Sequence, residues 1–137
     1  MGIYSASKFA LEALSDALRV ELKPWGIPVS VVQPGLYATD VRARSVESWA
    51  GHRAALSEEE RRLYQSGFEQ TRRLIASFDQ AAANPQEVSE AVFEALTAES
   101  PQTRYLVGET AQELVGLLSL SDEARDEAFM QMFDQAS

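Results

Sequence analysis

The sequence predicts an α/β domain built on a parallel sheet. Three observations carry that reading. An apolar stripe at helical spacing opens the chain. Residues 27–32 (Ile-Pro-Val-Ser-Val-Val) form a short, β-branched and almost wholly apolar run. Helix-like and strand-like patterns then alternate to the C-terminus. An apolar run without polar alternation fits a strand covered on both faces, as strands of parallel sheets are.

Residues 5–23 read as a helix, with Phe9, Leu11, Ala13, Leu14, Ala17, Leu18 and Leu22 on its stripe. Pro24-Trp25-Gly26 ends it. The strand at 27–32 follows, stopped by Gln33-Pro34-Gly35. Residues 36–56 look irregular or partly helical. Ser57 opens a long helix, and Glu60 three residues on completes a capping box. Leu63, Tyr64, Phe68, Leu74, Ile75 and Phe78 mark its apolar side. Asn84 is placed to cap a third helix, with Pro85 at its first position and Glu87 at its third. Val88, Val92, Phe93 and Leu96 lie on that helix. Residues 103–107 (Thr-Arg-Tyr-Leu-Val) read as a second strand closed by Gly108. Residues 111–120 are helical, and Ser121 caps a last helix ending in Phe129, Met132 and Phe133. That aromatic end is either a subunit contact or a tail tucked on its own domain. Two strands make a poor sheet, so the pattern calls for further strands, from elsewhere in a longer protein or from another chain.

Composition narrows the function classes. The 137 residues carry a net charge of -9, which argues against nucleic acid, since no basic stripe is present to neutralise phosphates. There is no cysteine, hence no disulfide, thiolate nucleophile or thiolate metal site; a reducing cytoplasm suits such a chain, and a cytoplasmic location is the expectation. No apolar run approaches the ~20 residues of a membrane helix, and no membrane partner is expected. A single histidine, His52, provides no second histidine for a metal site or a triad, so no metal is expected. The Glu58-Glu59-Glu60 run suits the positive end of a helix dipole.

The candidate chemistry lies at the N-terminus. Tyr4 and Lys8 are four residues apart on one helix face. A lysine ammonium beside a phenol favours the phenolate, bringing proton exchange nearer neutral pH than the free value of roughly 10. Taken alone, the spacing also fits an ordinary surface pair, and Pro34-Gly35 alone fits a plain turn. The longer pattern is more specific. Tyr4-Ser-Ala-Ser-Lys8 leads into the helix; a short loop and Val-Ser-Val-Val-Gln-Pro34-Gly35 follow, with Thr39 four residues later. In order and separation this resembles the active-site helix, the following strand and the Pro-Gly-x-x-x-Thr turn of the short-chain dehydrogenase/reductase family.

The resemblance implies the C-terminal part of a Rossmann-like, doubly wound parallel sheet with two strands and five or six helices. It implies one domain over 1–137, carrying a helical substrate lid at about 36–82. It also implies an oxidoreductase using NAD or NADP on a small-molecule apolar alcohol or ketone. Tyr4 would be the general acid/base, and Lys8 would assist it and bind the nicotinamide ribose. Pro34 and Gly35 would let the backbone approach the nicotinamide ring. The backbone of Leu36 and Tyr37, with the Thr39 hydroxyl, would hold its carboxamide. Leu36, Tyr37, Val41 and Trp49 would line a substrate pocket, with Val46 nearby, although a core role is open for the helical part of this stripe. The 5–23 helix resembles one the family uses in subunit contacts, which implies a homo-oligomer. The glycine-rich phosphate turn and the catalytic serine of the family do not occur in these residues. The expectation is therefore a C-terminal half, begun at an internal methionine and inactive alone. The alternative is a non-catalytic interaction module derived from the same fold.

Overall fold

The computed structural model describes residues 2–40, 49–80 and 82–135. It is mostly helical around a two-stranded parallel sheet, a partial Rossmann-like α/β fold. The chain forms two compact units, Met1–Gly35 with Gln86–Ala111, and Leu36–Pro85 with Gln112–Ser137.

In the first unit, helix α1 spans Gly2–Leu22. It starts three residues earlier than the stripe suggested, so Tyr4 sits within it. A single 3-10 turn, Lys23–Trp25, follows. Gly26 closes it at φ 67°, its N–H donating to the Lys23 carbonyl at 3.0 Å. Strand β1 is Val31–Pro34 and β2 is Arg104–Val107, paired in parallel with Val31 opposite Arg104 and Pro34 opposite Val107. The expected strand at 27–32 is thus shifted towards the C-terminus. The ladder, not the apolar run, sets its bounds. Its first rung is the Val31 N–H on the Thr103 carbonyl at 3.0 Å, and residues 27–30 stand before it. At the other end Gly35 donates to the Val107 carbonyl at 3.0 Å. Val31 and Gly35 point their N–H groups into β2, so by alternation Pro34's missing N–H falls on the opposite edge and breaks no rung.

Helix α2 spans Glu58–Gln80, and α3, Gln86–Thr97, packs on both strands. Val31, Tyr105 and Ala111 are the buried apolar residues of the first unit. The Tyr105 hydroxyl accepts the Gln102 N–H at 3.0 Å. After β2, Gly108 turns the chain at φ 86° and helix α4, Glu109–Leu117, begins two residues before the expected start. Gly35 lies directly against the first turn of α4. A Cβ there would stand inside the Thr110 hydroxyl and 2.7 Å from the Ala111 amide nitrogen, closer than any real contact. Only glycine permits that approach.

The apolar stripe of α1 turns inward only in part. Ser15 is its buried residue, donating its hydroxyl to the Leu11 carbonyl at 2.8 Å. Of the stripe, Leu18 and Leu22 are half-buried while Phe9 (62% exposed) and Leu14 (56%) are exposed, as is Val20 (73%) beside it. Polar side chains hold the helix to the strands instead. The Arg104 guanidinium reaches Glu12 at 3.1 Å and Asp16 at 2.7 Å, Gln33 donates to Glu12 at 2.9 Å, and Arg19 reaches the Val29 carbonyl at 3.4 Å.

In the second unit a single parallel bridge joins Tyr37 to Ala83: Ala83 donates to the Leu36 carbonyl at 2.9 Å and Ala38 to the Ala83 carbonyl at 3.0 Å. The long insertion therefore leaves and returns at one point. Residues 49–54 are helical. Trp49 meets Phe68 of α2 edge-on at 5.9 Å, and Tyr64 meets Phe68 at 6.5 Å. The capping box is complete: Ser57 gives its N–H (2.9 Å) and hydroxyl (2.7 Å) to the Glu60 carboxylate, and Glu60's N–H returns to the Ser57 oxygen at 3.3 Å. These bonds, led by the Ser57 hydroxyl, hold the Glu60 carboxyl below its ordinary range. Helix α5, Asp122–Gln135, is capped by the Ser121 hydroxyl on the Ala124 N–H at 3.3 Å and packs on α2, with Met132 and Phe133 half-buried. Of the C-terminal apolar end, Met132 and Phe133 are partly covered by their own unit and Phe129 is exposed.

Two outcomes follow from this packing. Gly35→Ala should destabilise the protein by about 2–3 kcal/mol, an overpacking cost. Adding Thr110→Ala should not restore it, because the Ala111 backbone still blocks the methyl; denaturant titration reads both. For the capping box, a carboxyl whose folded pKa is depressed contributes stability above its unfolded pKa and loses it as pH falls through the folded value. Glu60→Gln should therefore flatten the acid limb of the stability curve below pH 5, and Ser57→Ala should do the same. An unchanged acid limb in both variants would contradict this assignment.

Candidate active site

The site is built from the face of α1 that meets the strands. Positions 4, 8, 12, 15 and 19 advance by four, four, three and four residues, and so share one side of a helix. The lower members of that row are docked: Glu12 on Gln33 and Arg104, Ser15 buried, Arg19 on the Val29 carbonyl. Tyr4 and Lys8 continue the same row. Asp16 meets Arg104, at the level of Val31, and Glu12 meets Gln33, two residues further along β1. The helix therefore climbs toward the carboxyl ends of the strands as it runs back to its N-terminus. One more turn, about 6 Å of axis, matches about two strand residues and carries Lys8 toward the level of Gly35. That end is where open parallel sheets bind ligands.

Tyr4 and Lys8 touch each other. The Lys8 ammonium lies over the Tyr4 ring, 5.3 Å from its centroid, a cation held on a π face. Both side chains are exposed, Tyr4 at 66%. Ser7 donates its hydroxyl to the Tyr4 carbonyl at 2.7 Å, tightening the first turn. The pair presents a phenol and an ammonium to solvent, the two groups needed to move a proton at one oxygen and hydrogen-bond a nearby hydroxyl.

The other expected residues divide between the units. Pro34 ends β1 and is exposed, and Gly35 is sealed on α4 on the side where its Cβ would stand. In the second unit Leu36 is half-buried and Tyr37 is buried at 7% exposure. The Leu36 carbonyl and the Ala38 amide are engaged in the clasp with Ala83, so part of the turn's backbone is spent on holding the insertion closed. Thr39 is exposed, and Trp49 is half-buried against Phe68. Val41 and Val46 lie outside the described residues.

Sequence reasoning overlooked the polar clamp beside the pair. Its signals were an acid repeated one turn apart on α1 (Glu12, Asp16), a lone glutamine in an apolar strand, and an arginine opening the next. Asp16 is held below the usual carboxylate range, first by Arg19 at 2.8 Å and then by Arg104. The Arg104 guanidinium is pushed upward, first by Glu12 and then by Asp16. Among the described residues no three metal-ligating side chains gather, and no helix is long and apolar enough to cross a membrane.

The chain is similar in sequence to known proteins over most of its length. Residues 1–49 match the short chain dehydrogenase family. An uncharacterized oxidoreductase of Schizosaccharomyces pombe is 32% identical over 123 residues, covering 89% of this chain and 48% of the relative. A probable short-chain type dehydrogenase/reductase, VdlC, of Helicobacter pylori is 32% identical over 88% of this chain and 41% of the relative. Retinol dehydrogenase 5 of Mus musculus is 35% identical over 82% of this chain and 37% of the relative. The chain spans about half the length, or less, of the curated relatives it matches. With the Tyr4–Lys8 helix, the β1 turn and these relatives in agreement, the chain belongs to the short-chain dehydrogenase/reductase family.

Proposed function

We propose that this chain carries the acid/base part of an oxidoreductase site that works with NAD or NADP on an apolar alcohol or ketone. The observation that carries the reading is the contact between Tyr4 and Lys8, in line along α1 with the strand-docked Glu12 and Arg19. In this reading the Tyr4 hydroxyl gives a proton to a carbonyl oxygen, or takes one from an alcohol, and Lys8 sets the charge beside it and hydrogen-bonds a ribose hydroxyl. A bound nicotinamide cofactor supplies or accepts the hydride. The donor set suits the nicotinamide-ribose end of such a molecule: an exposed ammonium, an exposed phenol and a strand end carrying Gly35. Nothing in the 137 residues offers a glycine-rich cradle for its pyrophosphate. Weak cofactor binding and no turnover are therefore expected of the chain by itself. Leu36, Tyr37 and Trp49, with Val41, remain the proposed lining for the apolar substrate, and Thr39 the proposed carboxamide ligand.

A second reading rests on a different observation. Away from the strand-docked row, α1 exposes Phe9 and Val20 on one flank and Leu14 on the other. We propose that the flank with Phe9 and Val20 pairs two copies of the chain, so that a cytoplasmic oligomer forms through α1 whether or not catalysis occurs.

Reduced nicotinamide mononucleotide, titrated into the labelled chain, should shift the Tyr4, Lys8 and Gly35 resonances with a Kd on the order of 1 mM. Lys8→Met should weaken that binding about tenfold, the loss expected for one charged hydrogen bond. Shifts scattered away from this row would sink the reading. Turnover of a ketone by the chain, abolished in Tyr4→Phe, would overturn the expected inactivity while supporting the role of Tyr4. For the oligomer, sedimentation should give a dimer that Phe9→Glu with Val20→Glu converts to monomer; a monomeric unsubstituted chain would refute it.

A further inference from the structure

We propose that Glu12, Gln33 and Arg104 are positioning residues, a polar clamp that sets the axial register of α1 on β1 and so decides where Tyr4 and Lys8 stand relative to Gly35. The proposal rests on the active-site reading for its meaning, but the clamp itself stands on geometry.

One guanidinium spans two carboxylates that are one helical turn apart, Glu12 at 3.1 Å and Asp16 at 2.7 Å. Such a fork fixes the rotation of the helix, because both acids must face the sheet together. It also resists translation: a slide of one turn would set Val20 where Asp16 stands, or Lys8 where Glu12 stands, and either breaks the fork. Gln33 adds a second tie to the same turn, its amide donating to the other Glu12 oxygen at 2.9 Å. Gln33 and Arg104 can act together because the strand register sets Arg104 opposite Val31, on the same face of the sheet as Gln33.

Stability alone does not account for this arrangement. The members are partly solvated, with side-chain exposures of 38% for Arg104, 30% for Glu12 and 51% for Asp16, and pairs of that kind contribute little to folding. What they supply is direction. The apolar side chains of α1 give the sheet little to grip: Phe9, Leu11, Leu14 and Val20 are exposed, Leu18 and Leu22 only half-buried, and Ser15 is the buried residue of the helix. The polar contacts therefore decide which turn of α1 meets Gln33. Glu12 lies one turn from Lys8 and two from Tyr4, so a slip at the clamp is transmitted along a rigid helix to the pair.

Proton–proton NOEs between α1 and the strands, with amide exchange, on the 137-residue chain test this without any substrate. In the unsubstituted protein NOEs should join Glu12 to Gln33 and Asp16 to Arg104. In Arg104→Met, and in Gln33→Met, where no charge is lost, the helix–strand NOEs should vanish or move to another turn of α1. Amide exchange in α1 should rise about tenfold while the rungs at Val31 and Gly35 change less. Arg104→Lys, whose single ammonium cannot bridge both acids, should fall between. Tyr105→Phe, which loses the Gln102 contact in the same unit, should lower stability yet leave the helix–strand NOEs in place. If those NOEs keep the same turn of α1 in both Met variants, or if exchange rises equally in α1, β1 and β2, the proposal is wrong. The nicotinamide titration with Lys8→Met addresses the active-site reading separately, so either can fail while the other stands.

Discussion

The parallel pairing of β1 with β2 is the constraint on which the first unit depends. It joins segments far apart in the chain: Ser30 donates to the Gln102 carbonyl at 2.7 Å across 72 residues. Closing so long a loop is entropically unfavourable, although the penalty grows only slowly with length. The ladder offsets it and organises what surrounds it. It brings Arg104 beside Gln33, which lets both reach α1. It delivers Gly108 and the first turn of α4 to Gly35. It also gives α3 a surface on which to pack. Without the ladder, α1 and α3 would be amphipathic helices with nothing to cover.

Gly35 shows how closely position and chemistry are coupled at the strand end. The family resemblance implied a glycine there so that a backbone could approach a nicotinamide ring. The structure adds a second demand, since the space a Cβ would fill is taken by Thr110 and the Ala111 amide. The Leu36 carbonyl and Ala38 amide immediately after it are likewise engaged with Ala83. The turn that follows β1 therefore both ends a strand and clasps an insertion. A residue recruited for a site at such a place must first satisfy its backbone neighbours.

Much of the fold was legible because it is local. The capping box at Ser57 and Glu60, the Ser121 cap and the left-handed glycines at 26 and 108 follow from interactions within a few residues. The shared helix face of Tyr4 and Lys8 is of the same kind. Strand bounds were not legible in this way. Residues 27–30 are as apolar as residues 31–34, and only the partner strand decides which of them pair. The clamp was missed for the same reason: Glu12 and Arg104 are 92 residues apart, and no local period links them.

What the sequence determined by itself, then, is periodicity and punctuation: which residues share a helix side, where helices start, and that a tyrosine and a lysine stand one turn apart. These depend on backbone geometry that is the same in every protein. The tertiary structure decided direction and partners. It docked Glu12, Ser15 and Arg19 of α1 on the strands and left Phe9, Leu14 and Val20 exposed, a choice that the apolar pattern of the helix does not contain. The physical reason is that ion pairs and hydrogen bonds to Arg104 and Gln33 act only at contact distance, and that contact exists only once β1 and β2 have paired.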